Sequence, residues 1–116
     1  MIRVVLQHDG YGCLSRVRME GHAGGGPVGD NPVCAAATVL ARTAARLLDA
    51  ASGIEVHGEA DHEGMLEVVV TAYEPETLNY LKGASDYLLV GLRDLEREYP
   101  NHVAVLAEDL VETEGE

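Results

Sequence analysis

Apolar and polar positions alternate from Ile2 to Gln7 and again from Leu14 to Glu20, the period-two pattern of strands with one buried face. In the second run Val17 and Met19 fall on one face and Arg16 and Arg18 on the other. Asp9-Gly10 and Gly12 lie between the runs and supply a tight reversal, so the two strands form a β-hairpin. The pattern then breaks. Gly21 to Pro32 carries Gly24, Gly25, Gly26, Pro27, Gly29 and Pro32, which neither a helix nor a strand interior tolerates, and this predicts a flexible loop. Asn31 is a good helix N-cap, and Pro32 fits the first helical position, where its missing N–H is not needed. The helix expected from Val33 to Ala51 is apolar almost all round, interrupted only by Thr38, Arg42, Thr43, Arg46 and Asp49, and is therefore expected to be mostly buried. Ser52-Gly53 closes it.

Ile54 to Glu59 and Met65 to Ala72 form a second hairpin around an acidic turn at Asp61 to Gly64. A long helix runs from Pro75 to about Tyr99, with Leu78, Leu81, Leu88, Leu92, Leu95 and Tyr99 on one stripe, until Pro100 stops it. His102 to Leu106 reads as a last strand, and Val111 to Glu116 as an acidic, frayed tail. The order β-β-α-β-β-α-β predicts an α+β fold, a small, mostly antiparallel sheet packed with two main helices, in a single domain over residues 1–116.

With 116 residues, 47% of them hydrophobic, the chain supports one modest core, built without Trp or Phe. Eight Lys and Arg against 20 Asp and Glu give a net charge of −12, which argues against direct nucleic-acid binding and makes a charged partner basic. No apolar run is long enough to span a membrane and no secretion signal opens the chain, so a soluble, cytoplasmic protein is expected. Two cysteines cannot frame a secreted disulfide fold, so at least one can matter as a thiol.

The informative stretch joins Gly21-His22-Ala23, the glycine-rich loop, and Asn31-Pro32-Val33-Cys34-Ala35-Ala36-Ala37-Thr38. If Asn31 caps the helix, Cys34 is its third residue, where backbone N–H groups and the helix dipole favour an anion and so a reactive thiolate. An imidazole accepting its proton completes a Cys–His nucleophile, and His22 is the natural candidate. The opposing reading keeps Cys34 as a small core residue and His22 as a polar loop residue; on residue chemistry alone both stay open. Cys13, at a strand start, reads as structural. His57, His62, Asp61 and Glu63 crowd one turn, but their spacing matches no ligand motif, so no metal site and no cofactor are expected. His8 and His102 are given no role, and Tyr80 and Tyr87 suit either a dimer surface or the edge of the core.

Gly-His-Ala, about ten loop residues and Val-Cys-Ala-Ala, within this length and element order, resemble the bacterial ribosomal-processing cysteine protease family, Prp. The resemblance implies a catalytic dyad of His22 and Cys34 that acts through a thioester. It also implies a homodimer, and a mobile substrate loop over the site that here contains Gly24, Gly25, Gly26, Pro27 and Gly29. The implied substrate is the basic N-terminal segment of a large-subunit ribosomal protein precursor, number twenty-seven in the usual series. The chain departs from the family pattern at Asn31, where Asp is usual, and at Thr38, where Ser is usual. Thr38 keeps the hydroxyl. Asn31 can cap the helix and orient an imidazole but brings no charge, which Asp30 could supply instead. The alternative function is a non-catalytic, ribosome-associated peptide-binding module.

Overall fold

The computed structural model describes residues 1–21, 32–60 and 64–109. Five strands, β1 (Ile2–His8), β2 (Leu14–Glu20), β3 (Ile54–Glu59), β4 (Met65–Tyr73) and β5 (Val103–Asp109), form one sheet in the order β3-β4-β2-β1-β5. All neighbours are antiparallel except β1 and β5, which run parallel. Two helices, α1 (Pro32–Ala50) and α2 (Leu78–Glu98), pack together on one face, α1 over β3 and α2 over β5. The α+β class and the element order are those the sequence predicts.

Strand alternation builds the core in rows. Leu6 lies opposite Val17, which lies opposite Val68; Val105, Val4, Met19 and Leu66 form the next row. Onto these rows α1 lays Val33, Ala37, Ala41, Ala44 and Leu48, and α2 lays Leu81, Ser85, Leu88 and Leu92. The three alanines let α1 approach the sheet closely. On the uncovered face Arg16 and Arg18 both pair with Glu67, as their alternation with Val17 and Met19 requires.

Two expectations need correction. The first helix is not buried all round: Val39 is 61% and Leu47 42% exposed. In a two-layer fold nothing lies over the helices, so their outer faces meet solvent whatever residues they carry. The second helix begins at Leu78 rather than at Pro75, because Pro75–Thr77 forms a separate 3₁₀ turn. Its stripe is buried only from Leu81 through Leu92, and Tyr99 is exposed. Tyr80 and Tyr87 are exposed too, and the Tyr80 hydroxyl donates to the Leu47 carbonyl at 3.3 Å.

Asp9 fixes the β1–β2 turn. Its Oδ1 accepts the N–H groups of Tyr11 (2.9 Å) and Cys13 (3.0 Å), and its Oδ2 accepts the Tyr73 hydroxyl at 2.6 Å. Burial pushes the Asp9 pKa up, but the Tyr73 hydroxyl and the two N–H groups outweigh it and hold the carboxyl below its usual 3.8. The Tyr73 hydroxyl is pushed well above 10.0, chiefly because it donates to that carboxylate. A depressed carboxyl contributes stability that is present above its unfolded pKa and lost as pH falls through the folded one. A raised phenol contributes below its unfolded pKa and loses its share as pH rises through the folded one. Tyr73→Phe is therefore expected to cost about 2 kcal/mol at neutral pH, with the deficit shrinking below about pH 4 and above about pH 10. Urea midpoints of both proteins at acid, neutral and alkaline pH check this.

Candidate active site

Pro32 opens α1, so Cys34 is its third residue, as the sequence predicts. Cys34 is half-buried and packs against the core cluster that contains Met19, Val33 and Ala37. Ala35 beside it is exposed, and Thr38, one turn further on the same side, is half-buried. The sulfur thus stands where core meets solvent, at the helix end whose amides favour negative charge. Cys13 is its opposite: 0% exposed, packed with Leu48 and Leu81, its Sγ donating to the Leu78 carbonyl at 3.7 Å. Burial raises the Cys13 pKa, and the Asp9 carboxylate raises it further. Leu48 lies fourteen residues after Cys34 along α1, roughly 20 Å of helix, so the two thiols occupy different ends of the fold and form no disulfide with each other.

At the end of β2, Gly21 donates its N–H to the Gly64 carbonyl at 2.8 Å and adopts φ +98°. A Cβ there would collide with the Met1 carbonyl oxygen. The backbone that leads into His22 is therefore bonded to Gly64 and lies close against Met1, and only glycine fits. Gly21→Ala is expected to destabilise the fold by at least about 2 kcal/mol, from left-handed strain and the clash together. It should also reduce peptide cleavage by displacing the start of the histidine segment. Thermal unfolding and a cleavage assay on the same preparation check both effects.

Cys34 and Thr38 are thus placed by described residues. His22, Gly24, Gly25, Gly26, Pro27, Gly29, Asp30 and Asn31 lie outside them, as do Asp61, His62 and Glu63. His57 is exposed on β3, His8 is buried at the end of β1, and His102 is half-buried ahead of β5. Among the described residues no group of three or more His, Cys, Asp or Glu could hold a metal ion, and no helix is long and apolar enough to cross a membrane.

Two features were not anticipated from the sequence. Ser85 is buried within the leucine stripe of α2, where its Oγ accepts the Leu14 N–H at 2.8 Å and donates to the Leu81 carbonyl at 2.6 Å. Its place at an inward position between Leu81 and Leu88 was the available signal. The second is an open hollow of about 300 Å³ between α1 and β3, lined by Ala45, Arg46, Asp49, Val56 and Gly58. A glycine at an inward strand position, leaving side-chain space empty, was its trace in the sequence.

A family model described as cysteine protease Prp matches residues 1–104. No curated protein matches the chain. Among solved structures, the fold is similar to that of the essential ribosomal processing protease Prp from S. aureus. In its complex with a covalently linked product peptide the TM-score is 0.77 at 21% identity, covering 92% of this chain and 99% of that one. In its complex with a substrate peptide the TM-score is 0.73 at 20% identity, with the same coverage of 92% and 99%. SMU.848 from Streptococcus mutans gives 0.76 at 21% identity, covering 95% of this chain and 96% of that one.

Proposed function

The chain belongs to the Prp family of cysteine proteases, and from that premise we propose that it removes the N-terminal extension from the precursor of large-subunit ribosomal protein number twenty-seven. Cys34 is the nucleophile and His22 its general base and acid. The observation that carries this reading is the half-buried thiol at the third residue of α1, with the histidine segment leaving β2 from the pinned Gly21.

The Cys34 sulfur attacks the scissile carbonyl carbon as His22 takes the thiol proton. Backbone N–H groups at the start of α1 stabilise the oxyanion. The C–N bond then breaks, and His22 returns the proton to the departing amine, leaving a thioester. Water, deprotonated by His22, attacks the thioester; the C–S bond breaks, the peptide leaves as a carboxylate and the thiol is restored. Asn31 caps the helix and orients the imidazole, Asp30 supplies the charge that Asn31 lacks, and the Thr38 hydroxyl faces the same side of the helix as the sulfur. The loop containing Gly24, Gly25, Gly26, Pro27 and Gly29 covers the bound peptide. A net charge of −12 suits a basic, ribosomal-protein substrate and gives a salt-sensitive association rate. The enzyme works in the cytoplasm as a homodimer.

That the S. aureus Prp structure holds a covalently linked product peptide supports a covalent route on this fold. The non-catalytic module gives way to the family assignment. The direct test is to incubate purified protein with the precursor, record precursor mass before and after, and repeat with Cys34→Ala. Loss of the N-terminal extension in the first sample alone supports the proposal; an unchanged precursor in both refutes the assigned substrate.

A further inference from the structure

The two edges of the sheet are finished differently. At β5 the α2 side chains occupy the edge: the Val105 N–H donates to Glu96 Oε2 at 2.8 Å, and Arg93 donates to the Val105 carbonyl at 2.9 Å. Arg93 and Glu96 are themselves paired at 3.2 Å. Such plugging is one way a protein blocks strand addition. At β3, among the described residues, no side chain or backbone group bonds the outer edge. Alternate residues there turn their N–H and C=O groups away from β4, so β3 is an open template.

This open edge lies on the nucleophile's side of α1. Cys34, Thr38, Ala45 and Asp49 recur at spacings of four, seven and four, which makes one helix stripe. Ala45 and Asp49 line the hollow against Val56 and Gly58 of β3. From Cys34 to Ala45 is eleven residues of helix, or about 16 Å, the span of about five residues of extended chain. Charge selects the occupant: Glu55 and Glu59 project from β3 on the uncovered face and Asp49 from α1, on a chain of net charge −12. Among the described residues Arg46 is the one cation lining the hollow, and it makes the lining polar on both signs.

We propose that the open edge of β3 receives a basic, extended segment of the substrate as an added strand, and that the hollow holds a polar side chain roughly five residues from the scissile bond. Backbone pairing supplies affinity, while Glu55, Glu59 and Asp49 select lysine and arginine. This rests on the protease reading above and adds a remote recognition site to it.

The test uses the full-length enzyme and two peptides around the precursor cleavage junction, one with about three residues on each side and one with about eight. With the wild-type protein the longer peptide should have a kcat/KM about tenfold higher. A Cβ at Gly58 meets nothing closer than the Glu67 carbonyl oxygen at 3.8 Å, so the Cβ of Gly58→Leu is accommodated and the rest of its side chain is expected to enter the hollow that Gly58 lines. Gly58→Leu, and separately Asp49→Lys on the exposed helix surface, should bring the ratio of long to short close to one. Circular dichroism confirms that both variants are folded. A ratio unchanged in both folded variants overturns the proposal. So does a wild-type ratio near one. Dissociation of a dimer by Gly58→Leu in sedimentation velocity, with the ratio intact, overturns it too and assigns the edge to a second copy. If the wild-type protein cleaves neither peptide while the intact precursor is also uncut, the protease reading itself fails.

Discussion

Replacing Cys34 with Ala is expected to lower kcat/KM for precursor cleavage by about 10⁴-fold, to the level left by binding and oxyanion stabilisation alone. In the proposed mechanism the sulfur forms the covalent intermediate, and among the described residues the other thiol, Cys13, cannot substitute because it is fully buried near the last turn of the same helix. His22→Ala should cost a similar factor, because in the proposed dyad nucleophile and base act as a unit, and the double variant should be little worse than either single one. Initial rates of extension release, followed by mass spectrometry, give all three values. A Cys34→Ala protein retaining more than about a tenth of wild-type activity would exclude covalent catalysis at this residue. Independent, multiplying losses would exclude the concerted pair.

The largest stability loss among single core substitutions is expected at Leu88. It is 0% exposed at the centre of the interface between α2 and the sheet and belongs to the cluster containing Leu6, Val17 and Ala41. Leu88→Ala removes the transfer energy of three carbons and leaves a void that packed neighbours only partly refill, so the expected loss is about 3 kcal/mol. Against a typical total of about 5–15 kcal/mol for a domain, that is enough to shift the unfolding midpoint strongly. Val39→Ala, equally apolar in sequence but exposed on α1, should change stability by less than about 0.5 kcal/mol. Urea denaturation of both variants with comparable m-values provides the comparison. A loss at Leu88 below about 1 kcal/mol would mean that the helical layer is not packed as described.

The contrast between Leu88 and Val39 shows where sequence reading stops. Alternation of Arg16 and Arg18 with Val17 and Met19 sets the strand and its buried face, because a strand's side-chain period leaves no other choice. Pro32 is as informative, since its fixed φ and missing N–H suit the first helical residue and so place Cys34 at the third. An alanine-rich helix with scattered Val and Leu gives no such direction, and Val39 and Leu47 look like core until the number of layers is known. Non-local partners are equally silent. Asp9-Gly10 announces a turn, but not that Tyr73, 64 residues away, will donate to its carboxylate. The parallel pairing of β5 with β1 and the plugging of Val105 by Arg93 and Glu96 depend on strand order, which local patterns do not contain. At the candidate active site the position of Cys34 was legible for the same local reason as the helix start. The partnership with His22 rests on a resemblance in sequence.

That partnership can be measured without any substrate. The rate of Cys34 alkylation by iodoacetamide at about pH 6.5, read by peptide mass mapping, should exceed that of a free cysteine derivative and fall in His22→Ala. Cys13, sealed in the core, should stay unmodified as an internal control. Alkylation of Cys34 at the rate of an ordinary thiol, indifferent to the loss of His22, would contradict the assignment of these two residues as a catalytic pair.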